Sequence, residues 1–371
     1  MKSLRESLLD DGLVEKTDKM IKDEIKAFLN ENYNGSIKIS QKPNADGKYE
    51  VSSTTDIEVK NTNITSLTNG MFIWIIVDGY FDCSYCKSLK SLEGAPKKVG
   101  GRFYCDNCIY LESLKDAPKE VGKDFNCSSC TSLNSLEGTP KEIGGSFYCS
   151  YCNSLTSLKG APKEVGKDFN CSDCNSLTSL KGAPQIINGD FYCYNCNSLK
   201  SLEGVPKEVG GDFYCDKCNS LTSLKGAPKE IKKDFSCSRC NSLKSLEGAP
   251  EKVGGDFSCN KCDSLTLLKG APKKVGGDFS CVECDSLTSL EGAPKEVGKD
   301  FHCSKCNSLK SLEGASEKVE GDFYCPMCLF LKSLDGAPKE VGGDFYCYGC
   351  AGKFTRKDVK KISNVKREIK C

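Results

Sequence analysis

From Phe81 to Cys350 the apolar residues follow one frame, F-x-C-x-x-C-x-x-L-x-x-L-x-G-x-P-x-x-V-G-x-x, which returns every 22 residues without insertion or deletion. Its CxxC pairs begin at Cys83 and recur to Cys347, 13 in all. In the copy Phe147 to Asp168, alternation puts Phe147 and Cys149 on one side of a short strand and Tyr148 and Ser150 on the other. Cys152, Leu155 and Leu158 turn inward again. Gly160, Pro162 and Gly166 then exclude a helix, so the return path is extended, with Val165 tucked in. A period of this length predicts a solenoid, in which one turn cannot bury its apolar side alone and neighbours seal it.

The flanks break the frame. Ile21, Ile25, Phe28 and Leu29 share one face of a helix that Thr17 or Asp18 can cap and that Asn34-Gly35 ends. Ahead of it, LRESLLDD offers a short apolar stripe, read as a frayed helix or a docking tag. Period-2 fragments at residues 37–40 and 49–52, joined by Pro-Asn-Ala-Asp-Gly, predict a hairpin. Residues 57–67 look like a degenerate copy, with Ile57 for Phe, Val59 for the first Cys, and Ile64 and Leu67 for the two Leu. That is the look of a capping turn. MFIWIIV follows as a strand. At the other end Thr355-Arg-Lys-Asp358 is a capping box opening a helix with Val359, Ile362, Val365 and Ile369 inward.

The strand, the C-x-x-L spacing and the Pro-led return resemble a leucine-rich repeat of the cysteine-containing and bacterial short types. Phe and the first Cys stand for strand leucines, and the second Cys stands for the usual Asn. The resemblance covers residues 57–350. It implies a mainly β fold, a leucine-rich-repeat-like solenoid of short parallel strands with an extended convex side, an α/β N-terminal cap and an α-helical C-terminal cap. The chain divides into an N-terminal segment and cap (1–56), a degenerate repeat (57–80), the thirteen-strand array (81–350) and a C-terminal cap (351–371). Similar arrays in bacterial and tailed-phage proteins imply host interaction or a virion accessory role.

Composition narrows the function. With 52 Lys and Arg against 51 Asp and Glu, no net field draws the chain to nucleic acid or to an anionic membrane, and neither is expected as a partner. No apolar run is long enough to span a bilayer, and the charged start of the chain lacks a signal core, so a cytoplasmic location is expected, in an infected host or a virion under the phage reading. A reducing compartment keeps the 27 cysteines free. C-x2-C-x18-C-x2-C also fits a zinc ribbon, but here the period itself forces the spacing. Buried free thiols are therefore preferred over a zinc-stapled structural protein, and both over disulfides. No metal or other cofactor is expected. Cys371 falls outside the frame as an exposed tail thiol.

Other columns have plain readings. The Asp before Phe, from Asp124 to Asp344, accepts turn amides rather than cations. The Asn column at Asn153, Asn175, Asn197, Asn219, Asn241 and Asn307 bridges backbones, and the Lys and Glu rows at Lys119 and Glu120 and their equivalents form a solvated face. The single histidine, His302, points outward and there is no nucleophile or phosphate-loop motif, so no catalysis is expected. Inward positions hardly vary between copies, whereas outward strand positions do. The expected site is therefore a protein-binding concave face made of Tyr104, Tyr148, Tyr151, Tyr192, Tyr194, Tyr214, Arg239, His302, Tyr324, Tyr346 and Tyr348, in patches from Tyr104 to Tyr214 and from His302 to Tyr348.

Overall fold

A computed structural model describes residues 13–371, with side chains from residue 17 onward. LRESLLDD lies outside the described residues. The chain forms two compact units, one through Cys152 with Gly160–Pro162, the other Asn153–Lys159 with Lys163–Cys371. Each is a parallel β-solenoid. Among the described residues no helix is long and apolar enough to cross a membrane.

The first unit opens with α1 (Leu13–Asn32), which buries Ile25 and Leu29. The helix is already running at Leu13, so Thr17 and Asp18 lie within it and cannot cap it. β1 (Tyr33–Asn34) leaves the helix directly and pairs with a later strand, Ile57–Val59. β2 (Lys38–Ile39) and β3 (Tyr49–Ser53) form the expected antiparallel hairpin. Its turn is closed by the Asn44 side-chain oxygen, which accepts the amides of Asp46 and Lys48 at 3.0 and 3.1 Å.

β4 (Ile57–Val59) is the degenerate repeat: Ile57 sits opposite Phe81 in parallel register, and Val59, Ile64 and Leu67 are buried. β1 lies antiparallel on the other edge of β4 and so ends the ladder on a reversed strand. Tyr33 ties it down, donating its hydroxyl to the Leu67 carbonyl at 2.7 Å and packing edge-on to Trp74. β5 (Phe72–Val77) begins the return ladder, running parallel to β3 on one side and to Lys98–Val99 on the other.

Every regular turn then contributes two short strands. One carries the Phe, as in Phe103–Tyr104 and Phe125–Asn126, and the other the return Val, as in Lys98–Val99 and Glu120–Val121. Between them the chain turns by i to i+3 bonds, such as Leu111 N to Cys108 O at 2.9 Å and Ala95 N to Leu92 O at 2.9 Å. The second of these has Gly94 at its third position with φ +86°, the geometry of a type II turn.

In the second unit the Phe strands pair in register from Phe169–Asn170 to Phe345–Tyr346. Their rings form a buried column, with neighbours such as Phe191 and Phe213 at 4.9 Å and Phe257 and Phe279 at 5.5 Å between centroids. The return strands of this unit fall in two separate ladders, one ending at Glu208–Val209 and the next starting at Glu230–Ile231.

The unit closes with α2 (Arg356–Ile362), opened by the expected capping box between Thr355 and Asp358. Val359 is buried but Ile362 is exposed. The helix stops at Ile362, and Val365 and Ile369 turn inward on strands instead: Asn364–Val365 extends the return ladder, and Ile369–Lys370 the Phe ladder opposite Phe345. Cys371 accordingly falls inside the frame. It is exposed, as expected, yet stands one rung beyond Cys347 with the sulfurs 2.8 Å apart.

Candidate functional site

The cysteines form the floor beneath the variable face. All of them but Cys371 are buried. The thiols are directed to backbone carbonyls in a regular pattern. In several turns the first Cys points to the carbonyl of the outward residue one turn on, as Cys83 does to Tyr104 at 3.3 Å and Cys325 to Tyr346 at 3.2 Å, while in others, such as Cys105 and Cys237, it meets the next turn's second Cys. The second Cys points to the carbonyl of the preceding turn's first Cys, as Cys108 does to Cys83 at 3.1 Å and Cys306 to Cys281 at 3.1 Å. That carbonyl lies where the strand ends and the ladder no longer serves it, so the second thiol fills the place the resemblance gives to Asn. Burial pushes the thiols of Cys83, Cys193 and Cys303 well above their ordinary value. Among the described residues, no three cysteine sulfurs gather within the 4.8 Å that a shared metal would need.

Outward from this floor, three columns carry the variation. On the residue after Phe, the second unit has two aromatic stretches separated by a polar one. Tyr192 and Tyr214 stack with centroids 5.4 Å apart. His302, Tyr324 and Tyr346 stack at 4.5 and 4.4 Å, and the Lys370 ammonium lies 4.7 Å from the Tyr346 ring centre. Each Tyr is held by the Asp two residues before it: Tyr192 donates to Asp190 at 2.7 Å and Tyr324 to Asp322 at 2.8 Å. Burial first, and that hydrogen bond second, raise the Tyr192 and Tyr324 hydroxyls above their usual range.

Between the stretches stand Ser236, Ser258 and Ser280. Their hydroxyls join a side-chain network with Asp216, Ser238 and Asn260, including Ser238 to Ser258 at 2.8 Å and Ser280 to Asn260 at 2.6 Å. The Asp column meets its expected role, with a particular geometry: Oδ1 accepts the backbone amide of the next turn's Asp, as Asp234 does from Asp256 at 2.8 Å. Asp278, Asp300 and His302 bring one potential ligand atom each within 4.8 Å of one another. The Asn column links turns in both ways, side chain to side chain as in Asn219 Nδ2 to Asn197 Oδ1 at 2.9 Å, and by the expected backbone contact as in the Asn175 amide donating to Asn153 Oδ1 at 3.2 Å. The Lys and Glu rows pair across turns at the surface, Lys98 with Glu120 at 2.7 Å and Lys252 with Glu230 at 2.8 Å.

The expected site residues do not form one surface of one kind. In the first unit Tyr104 packs toward Tyr80 at 6.4 Å, Tyr148 is half-buried two turns along the same column beyond Asn126, and Tyr151 stands out with half its surface exposed. In the second unit Tyr192, Tyr214, His302, Tyr324 and Tyr346 belong to the stacks. Tyr194 and Tyr348 stand in the column after the first Cys and are exposed. Tyr151 and Arg239 belong to a third column, the residue just before the second Cys.

This third column has a backbone property that pattern reading did not give: it is left-handed throughout. Tyr85, Tyr151, Lys217, Arg239, Lys261, Lys305 and Met327 all have φ between 56° and 60°. Only Gly349 occupies the position without a side chain. A β-carbon in that conformation costs roughly 1–2 kcal/mol. The hint in the sequence is the occurrence of Asn107, Asp173, Asn195 and Gly349 among its members, the residues that tolerate this region best. Pattern reading also passed over Leu329 and Phe330, which replace the usual Asn-Ser after the second Cys and are 58% and 57% exposed.

In the second unit the left-handed column and the column after the second Cys enclose an open groove of about 540 Å³ from Arg239 to Leu329. Within it Glu283 is shared by Lys261 at 2.9 Å and Lys305 at 3.1 Å. No family model, curated protein or solved structure matches the chain.

Proposed function

We propose that the chain is a non-catalytic recognition or scaffold solenoid that binds a protein partner on its strand face, in the manner the leucine-rich-repeat resemblance implies for the concave side. The observation that carries this reading is the contrast within each turn. The inward Phe, Cys and Leu are nearly invariant and fully buried, while the outward columns vary freely and include strained, solvent-exposed tyrosine, arginine and methionine. Variation that leaves the fold unchanged fits a surface tuned to a partner. A bacterial or phage host-interaction role, in the cytoplasm or a virion, rests on the resemblance alone. The zinc-stapled alternative needs three or four sulfurs around one point; pairs from neighbouring turns such as Cys105 and Cys130 or Cys237 and Cys262 do approach one another, but among the described residues no three gather, which weighs against it.

The test is affinity capture with the purified chain against a variant carrying Tyr192→Ala, Tyr214→Ala, Tyr324→Ala and Tyr346→Ala, both checked for equal melting. A partner retained by the first and lost by the second is the expected result. An identical set of captured proteins, or none, overturns the reading.

A further inference from the structure

We infer that the groove beside the left-handed column of the second unit takes an extended peptide segment with acidic side chains at alternate positions and an apolar anchor at one end. The inference rests on the recognition reading above and names the partner chemistry at that surface.

The charge of the column comes first. From Lys217 to Lys305 it carries the cations Lys217, Arg239, Lys261 and Lys305 against the one carboxylate of Glu283. Glu283 is already divided between two lysines, and Arg239 forms no ion pair among the described residues. One wall of the groove is thus a cationic rail with spare donors. The opposite wall carries Asp263 and Asp285, the latter holding Asn307 Nδ2 at 2.9 Å. Opposed charge on two walls suits an occupant whose two edges differ, which is what the alternation of an extended strand provides.

Spacing agrees. Arg239 and Lys305 are three turns apart, about 14 Å at the usual strand separation, and residues i and i+4 of a strand span about 13 Å. Acids at i and i+4 therefore fall level with Arg239 and Lys305, and the acid at i+2 falls nearest Lys261. Beyond Lys305 the groove ends on exposed Met327 and Leu329, with exposed Phe330 next in the chain and Met327 48% exposed. Between Tyr194 and Met327 no other large apolar side chain is exposed among the described residues, so this cluster is a local anchor point.

Strain supplies the second argument. Arg239, Lys261, Lys305 and Met327 hold a conformation in which glycine is cheaper, as Gly349 demonstrates in the same column. Their side chains do not serve the core, since the buried floor beside them is the second Cys. Retaining them costs stability, and beyond the surface ion pairs of Lys261 and Lys305 with Glu283 they gain only what they reach in solvent.

That geometry gives a clean experiment. Glycine at these positions removes the side chain without harming the fold, so binding and folding separate. The probe is a fluorescein-labelled peptide with two leading apolar residues followed by glutamate at alternate positions, made in both chain directions, with a lysine counterpart as control. Anisotropy titrations on the full chain should show saturable binding of one acidic peptide, at least ten-fold tighter than the lysine peptide and weakened by salt. Arg239→Gly with Lys305→Gly, and separately Met327→Gly, should each lower affinity about ten-fold or more while melting stays level or rises. Equal binding of acidic and basic peptides, no saturable binding, or wild-type affinity in the glycine variants overturns the inference. If capture of a partner still depends on Tyr192 and Tyr214 in that event, the groove is wrong and the recognition reading stands; if both fail, the reading fails as well.

Discussion

The turns at Ser236, Ser258 and Ser280 and those at His302, Tyr324 and Tyr346 have the same backbone, the same register and the same interior. Phe257 and Phe323 are both fully buried between neighbouring Phe rings at 5.1–5.5 Å. Cys262 and Cys306 both point to the carbonyl of the preceding turn's first Cys, at 3.2 and 3.1 Å. Above that common floor one stretch is a mesh of hydroxyl and amide groups and the other a stack of rings. The turn is therefore held from inside, and the outward residue is free to answer to something other than folding. Each half of that statement can be attacked separately.

The largest effect should come from the interior. Phe257→Ala removes a ring packed on both sides, and the neighbouring turns are fixed by their own strands, so the space cannot collapse fully. The expected cost is about 3–5 kcal/mol, read from denaturant midpoints. Phe323→Ala, beneath the aromatic stretch, should cost the same within about 1 kcal/mol. A much smaller cost at either site would show that the outward residues carry part of the stability there, and the separation of inside from outside would fail.

A middle-sized effect tests why the floor is cysteine. Cys262→Val keeps the volume and apolar character but removes the donor to the Cys237 carbonyl, leaving a buried acceptor unserved. That should cost about 1–3 kcal/mol. Cys262→Ser keeps the donor and should cost less than valine. The reverse order would mean that the thiols are there for packing alone. Cys306 should follow the same order, because the floor does not sense which stretch lies above it. Thiol counting supplies a companion reading: Cys371, the exposed thiol, should react fastest in the folded chain, followed by Cys350, whose thiol the hydrogen bond with Cys328 lowers to about 7.

These expectations separate what the chain displays openly from what it does not. The exact period exposes the stack, the inward columns and the return path, because each follows from alternation and from where glycine and proline forbid a helix. Both ends were legible in part. Ile57 and Val59 announce a capping turn, but the reversed strand Tyr33–Asn34 that closes it carries no signal of its own in two residues. At the far end the period-3.6 spacing of Val359, Ile362, Val365 and Ile369 suits a longer helix, and ladder hydrogen bonds to the turn below override it after Ile362. Cys371 falls into frame only once that strand is known. The site was half legible: variation marks the outward columns, whereas the left-handed backbone depends on a sharp turn between two inward cysteines, which residue types such as Lys and Met conceal.

The smallest effect bears on the outward half of the comparison. Ser258→Tyr would place a ring in the polar stretch. It gives up the bonds Ser258 makes with Ser238 and Asn260, at 2.8 and 2.9 Å, both on a half-exposed surface. In return the new hydroxyl has Asp256 beneath it, in the relation Tyr214 bears to Asp212 at 3.1 Å, and the strand surface favours an aromatic. Gains and losses of this kind are each about 0.2–1 kcal/mol, so the net change should stay within about 1 kcal/mol of zero. A loss above about 2 kcal/mol would show that the hydroxyl mesh fixes its own turns and that the two stretches are different ways of holding the face. A near-zero result would leave the outward residue as a position the fold does not choose.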